Sequence, residues 1–262
     1  MTLNRSEVRR LQVFDLEHVR HRQPGQEWVP HWHADWSFGA IVDGECRCSV
    51  GGRPFHARSG DLFAIAPGTV HTGALTPHER NAGVLVVMLY VPNDWLVHAG
   101  LSGPARSGWI HAPDVVGQAA GLSTAADAQA WLHQALPALC HGLQQEPGAS
   151  PDGAPSEAVR SLLERVQAAI LEGEQTVSGL AERCAVSRER IHRVLKRWVG
   201  MSPADYLRAV RLQRAKEMLL DSEPLACVAA ACGFTDQAHF TRWFRRAFGY
   251  TPGDLVQANS MS

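Results

Sequence analysis

A repeat in the C-terminal part of the chain restricts the fold more than any other feature. Leu180 to Ser187 (LAERCAVS) matches Val228 to Thr235 (VAAACGFT) at an offset of 48 residues. With one extra residue in the second copy, IHRVLKRWVGMSP from Ile191 matches FTRWFRRAFGYTP from Phe240, pairing Ile191 with Phe240, Leu195 with Phe244, Gly200 with Gly249 and Pro203 with Pro252. A pattern of apolar positions and breaks that recurs in this way must build the same unit twice. Each copy reads as a small helix ending at Ala185-Val186 or Gly233-Phe234, a turn, and a second helix that Ser187 or Thr235 is placed to N-cap. That is a helix-turn-helix, over 177–199 and again over 225–248. Between them Ser202 as N-cap, Pro203 at the first helical position and Asp205 three after the cap predict a connecting helix, Ser202 to Ser222. Its apolar positions, Tyr206, Leu207, Val210, Leu212, Ala215, Met218 and Leu219, serve two packing faces.

Charge says what the repeated helices face. The whole chain is near neutral at −1, but residues 1–156 hold ten Lys+Arg against fourteen Asp+Glu, and residues 157–262 fifteen against twelve. The first unit's second helix carries Arg188, Arg190, Arg193, Lys196 and Arg197 behind the cap Ser187, beside an apolar stripe of Ile191, Val194, Leu195 and Trp198. A single such run is ordinarily a solvated face. Here the second copy repeats the arrangement with Asp236, Gln237, His239, Thr241, Arg242, Arg245 and Arg246 around Phe240, Trp243, Phe244 and Phe248. Gln and His near a helix start suit base edges, and later arginines suit phosphates. Two such helices on one chain would enter successive major grooves, about 34 Å apart.

With those residues in view, the sequence resembles the AraC/XylS family of bacterial transcription regulators over about Glu157 to Gln257. The residues that carry the resemblance are Ala229, Gly233, Phe234, Asp236, Phe240, Arg242, Phe244, Arg245, Gly249 and Pro252, which meet A-x-x-x-G-F-x-D-x-x-x-F-x-R-x-F-R-x-x-x-G-x-x-P. The resemblance implies seven helices in two helix-turn-helix units, sequence-specific binding to double-stranded promoter DNA, and an N-terminal domain that senses a small molecule or dimerises. RNA polymerase is the implied partner of an activator.

Gly142 to Ser156, with three prolines and three glycines, is the expected linker, dividing a domain 1–141 from a domain 157–258. Before it, short apolar runs alternate with turns: Phe38 to Val42, Cys46 to Val50, Asp61 to Ala66 and Val84 to Val91. This spacing predicts antiparallel β structure. A helix follows from Thr124 to His141, broken in pattern by Pro137, with an apolar face (Trp131, Leu132, Ala135, Leu136, Leu139) suited to pairing subunits in a homodimer. Gly25, His31, His33 and Gly44 resemble the first cupin motif, and Gly60, Gly68 and His71 the second. The resemblance implies an N-terminal cupin or jelly-roll β-barrel in which His31, His33 and His71 occupy three of four metal-ligand positions. Ser37 stands at the carboxylate position, Ala66 at a proline and Leu75 at an asparagine. Three imidazoles could hold Zn²⁺ or Fe²⁺ with an open position, or line an effector pocket together with Trp36 and Ser37. Asp35 is a possible substitute carboxylate.

Among the tryptophans, Trp28, Trp32, Trp36, Trp95 and Trp109 either enclose an effector or pack the core, and Trp32 points away from its histidine neighbours by alternation. Cys46 and Cys48 share one side of a strand and read as packing residues, while Cys184 and Cys232 fall at equivalent repeat positions. No secretory signal precedes the six cysteines, so reduced thiols, a cytoplasmic protein and no membrane partner are expected. The regulator reading requires no cofactor. Its rival is a metal-dependent cupin enzyme with an appended helical domain, which the missing carboxylate and the duplicated basic helices argue against.

Overall fold

The computed structural model describes residues 6–11, 16–22, 25–77, 84–145 and 156–260. Within them, β1 (Glu7–Leu11), β2 (Leu16–His21), β3 (Glu27–His31), β4 (Trp36–Asp43), β5 (Glu45–Val50), β6 (Arg53–Arg58), β7 (Asp61–Ile65), β8 (His71–Thr76), β9 (Leu85–Val91) and β10 (Gly108–His111) make two antiparallel sheets. One is ordered β1-β2-β9-β4-β7-β10 and the other β3-β8-β5-β6. The near-continuous apolar runs in β4, β7 and β9 have a physical reason: these strands are covered on both faces. Inward, Ile41, Phe63, Ile65, Val86, Met88 and Tyr90 meet Cys46, Phe55 and Leu75 of the facing sheet. A Cβ at Gly39 would lie 2.0 Å from the Phe63 ring, so only glycine lets that ring cross the barrel floor.

Outward, Phe38, Ala40, Leu62, Ala64, Val87 and Leu89 are covered by α1 (Asn93–His98), α2 (Pro113–Ala119) and α3 (Ala125–Gln145). The apolar face of α3 is consumed here rather than left for a second subunit: Trp131, Leu132, Ala135, Leu136 and Leu139 are buried in the same cluster, and the Trp131 indole donates to the Val115 carbonyl at 2.8 Å. The helix runs through Pro137 and takes in Gly142 to Gln145, the start of the expected linker, because Leu143 still reaches that core. The rest of the linker up to Pro155 lies outside the described residues, and Ser156 begins the next helix as its N-cap.

The C-terminal part is helical throughout: α4 (Glu157–Leu171), α5 (Val177–Arg183), α6 (Arg188–Val194) continuing as a π-helical turn (Leu195–Val199), α7 (Pro203–Leu220), α8 (Leu225–Ala231), α9 (Gln237–Phe248) and α10 (Pro252–Ser260). α5/α6 and α8/α9 are the two helix-turn-helix units. Ser187 caps α6 by accepting from the Arg190 amide at 3.2 Å, and Ser202 caps α7 by accepting from the Asp205 amide at 3.2 Å. In the second unit the cap is Asp236, accepting from the His239 amide at 2.6 Å, and not Thr235. The second copy's extra residue sits at this point and moves the cap one position on; a carboxylate there also favours the helix dipole.

The turn of each unit needs a left-handed residue, with Gly233 at φ 71° in the second and Ala185 at φ 51° in the first. A non-glycine side chain in that region costs about 1–2 kcal/mol. Ala185→Gly is therefore expected to raise the thermal midpoint, by up to about 1 kcal/mol of stability after glycine's entropic cost. A lowered midpoint in a melting experiment contradicts this account of the turn.

Both units dock on the barrel. Phe240, Phe244, Phe248, Tyr250 and Leu255 share one apolar cluster with Val19, Ile41, Leu75 and Tyr90. Val70 and Trp32 join the first unit's cluster, with Trp32 stacked on Tyr206 of α7 at 5.2 Å. α7 also grips α9, the Arg208 guanidinium lying 3.7 Å over the Trp243 ring while Asp205 holds it at 2.8 Å.

Candidate functional site

His31, at the end of β3, is paired across the ladder with His71, at the start of β8, and His33 follows in the turn to β4. Their ring centroids lie 4.3 Å (His31–His71), 4.9 Å (His31–His33) and 5.2 Å (His33–His71) apart, and one nitrogen from each falls within 4.8 Å of the others. Nδ1 of His31 is 2.8 Å from the Val29 carbonyl and Nδ1 of His71 is 2.9 Å from that of Thr69. A carbonyl only accepts, so each Nδ1 carries the proton and each Nε2 of the neutral ring keeps a free lone pair. Burial holds the His71 pKa down at about 4, and burial, then the neighbouring imidazoles, hold those of His31 and His33 well below the usual 6.5. The neutral imidazole is the form in which histidine binds a metal ion, and in His31 and His71 the tautomer is fixed as well.

Two buried side chains here have polar atoms without a hydrogen-bond partner: both ring nitrogens of His33, and Oγ of Ser37. Ser37 shares its inward strand face with Gly39 and Ile41, opposite Tyr90, whose ring lies 4.3 Å from that of His33. Polar atoms buried this way are costly unless something binds them. Trp36 is a correction to the expected pocket. Adjacent to Ser37 on a strand, it points to the other face, stacks on Phe38 at 5.7 Å and packs under the outer helices. Asp35 is half-buried in the turn, outside the histidine cluster. The barrel cavity beside the histidines has a free volume of about 50 Å³, lined by His21, Trp28, Cys46 and Cys48 among apolar side chains. It has room for an ion or a few water-sized groups.

The DNA-binding half packs against the histidine cluster. The Phe248 ring, at the end of α9, lies 6.0 Å from His31 and 5.7 Å from His33. Gly249 follows at φ 83°, where a Cβ would be 2.6 Å from the His21 ring and 2.7 Å from the Trp28 indole nitrogen. Beside it a buried cluster joins the two halves: the Lys216 ammonium of α7 is 2.8 Å from the Glu17 carboxylate of β2, and the Tyr250 hydroxyl donates to the same carboxylate. Burial, then Glu17, pushes the Tyr250 pKa well above 10, so it stays a donor.

In the helix-turn-helix units, Ser187, Arg188, Arg190, Arg193, Lys196 and Arg197 of the first are exposed, as are Asp236, Gln237, Arg242 and Arg245 of the second, with Thr241 half-exposed. His239 departs from expectation. Its Nε2 accepts from the Trp243 indole at 2.8 Å and its Nδ1 is buried, so the ring is turned into the protein and away from any groove. The Ser187 hydroxyl and Asp236 carboxylate serve as helix caps.

Residues 13–183 match the AraC-like ligand binding domain family, and residues 180–258 a helix-turn-helix domain family. The chain belongs to the AraC family of transcriptional regulators. It is similar to the HTH-type transcriptional activator RhaS of Escherichia fergusonii (29% identical over 206 residues, 78% of this chain and 68% of the relative). It is also similar to RhaS of Pectobacterium carotovorum (26% over 257 residues, 90% of each). In fold it is similar to a single-residue variant of apo ToxT from Vibrio cholerae, with a TM-score of 0.55, 10% identity and 98% of each chain covered. An AraC-family regulator is a DNA-binding protein and not an enzyme, which sets aside the cupin-enzyme reading. Among the described residues no helix is long and apolar enough to cross a membrane.

Reasoning from the sequence missed Glu17, Lys216 and the packing of Phe248 to Tyr250 against the barrel. A signal was present in α7: Lys216, one of two lysines in the chain, stands at helical spacing among Leu212, Ala215 and Leu219, a core position for a charge.

Proposed function

We propose that this AraC-family regulator activates transcription in the cytoplasm, reading promoter DNA with two helices and sensing a divalent transition-metal cation in its barrel. The observation that carries the effector reading is the convergence of three buried, neutral imidazoles with free nitrogens within 4.8 Å. His31, His33 and His71 would be the ligands, with Ser37 beside them, and three histidines leave an open position for water or a second ligand. The cation would supply a buried positive charge. The small cavity supports an ion over a bulky organic effector. RNA polymerase is the partner of the activating state, and pairing of two chains would use surfaces other than the apolar face of α3.

Zn²⁺ serves as the probe. Calorimetric titration of the metal-free full chain is expected to show one site per chain, lost in His31→Ala/His71→Ala. No binding, or binding that survives the double substitution, contradicts the assignment.

The DNA-facing residues are Ser187, Arg188, Arg190, Arg193, Lys196 and Arg197 from the first unit, and Gln237, Thr241, Arg242 and Arg245 from the second. If Arg190 or Arg193 contacts a base, changing it to alanine costs about 1–3 kcal/mol of operator affinity. Equal operator affinity in both variants, measured by fluorescence anisotropy, contradicts that placement.

A further inference from the structure

We infer that Lys216 couples the cation site to the DNA-binding half: a cation held by His31, His33 and His71 repels the Lys216 ammonium and loosens the Lys216–Glu17 pair that pins α7 and α9 to the barrel. The inference rests on the reading of the three histidines as a cation site. Only one layer of aromatic rings separates the two positive charges. The Lys216 ammonium lies 5.0 Å from the Tyr90 ring and 5.3 Å from the Phe248 ring. Those rings lie in turn 4.3 Å and 5.7 Å from His33.

The layer is dry. Tyr90 and Phe248 are buried, and the Lys216 and Glu17 side chains are 6% and 3% exposed, so the ammonium has no short path into water. Like charges across such a layer feel each other far more than they would at a surface. The ammonium's partner Glu17 lies on β2, while Lys216 lies on α7 and Tyr250 just beyond α9. Whatever displaces the ammonium therefore acts on the contact between sensor and DNA reader.

Coupling is reciprocal: if the cation weakens docking, the docked ammonium weakens cation binding by the same factor. Removing the ammonium must then tighten Zn²⁺ binding. Lys216→Met in the full chain is expected to bind Zn²⁺ roughly tenfold tighter than the unchanged protein, within the usual range for coupled sites. Because a lone buried Glu17 destabilises the fold, Glu17→Gln/Lys216→Met is measured alongside and should shift in the same direction. In the unchanged protein, Zn²⁺ should speed amide hydrogen exchange over residues 244–252, and in the double variant it should not. Two results overturn the inference while leaving the cation site standing: equal affinities in the variants and the unchanged chain, or exchange at 244–252 that slows or stays constant with Zn²⁺. An unchanged chain that binds no Zn²⁺ overturns the cation site and the inference with it.

Discussion

Lys216→Met lowers the unfolding free energy of the full chain by about 3–5 kcal/mol, the cost of leaving one partner of a buried ion pair behind. Glu17 would remain 2% exposed, its charge facing the Tyr250 hydroxyl without the ammonium. Against a typical total of about 5–15 kcal/mol, that is roughly a fifth of the stability or more. Glu17→Gln/Lys216→Met should recover much of the loss, because a neutral amide facing a thioether strands no charge. Denaturant unfolding of the three proteins gives the comparison. A single variant within about 1 kcal/mol of the unchanged chain contradicts the buried, unrelieved position of Glu17, and equal losses in single and double variants contradict the pairing.

Acid is expected to unfold the chain in a range where most surface groups are indifferent. Burial lowers the pKa of His18 and His71 from 6.5 to about 4 and that of His21 to about 3, and holds His31 and His33 well below 6.5. The folded pKa is the lower one, so as pH falls below 6.5 the unfolded chain takes up protons that the folded chain refuses. Stability is whole above that value and falls by about 1.4 kcal/mol per pH unit for each histidine until the folded pKa is reached. Five histidines acting together should produce a steep fall in melting temperature below about pH 6.5. If His31, His33 and His71 hold Zn²⁺ they do so only as neutral rings, so on that proposal saturating metal should move the fall to lower pH. A melting temperature that stays flat across this range contradicts the burial of these rings.

How much of this was legible in the sequence depended on whether a residue's partners lay nearby in the chain. The two helix-turn-helix units were readable because repeat, caps and helical period are local signals: Ser187 and Ser202 cap as their spacing implied, and Cys184 and Cys232 are buried at equivalent positions. The histidine triad was readable from its resemblance to the cupin motifs, and His31 and His71 do meet across a ladder. β1 and β2 were not readable. Their sequences, EVRRL and LEHVRH, look like surface, because Glu17 finds its partners more than 190 residues away in α7 and beyond α9. Trp36 was misplaced for a related reason. Aromatic density near a motif does not tell which face a strand turns inward, and the outer face was itself covered by helices. His239 had the spacing of a base-reading residue, but Trp243 one turn on takes its ring nitrogen.

The central claim is that this chain is a sequence-specific regulator. Its most direct test is fluorescence anisotropy of the full chain against its own upstream DNA and an unrelated duplex, at two salt concentrations. The account predicts binding to the upstream DNA tighter by about 10³ or more, with the preference persisting at the higher salt as the shared phosphate contribution weakens. Equal, weak and steeply salt-dependent binding to both duplexes, with and without Zn²⁺, would contradict it.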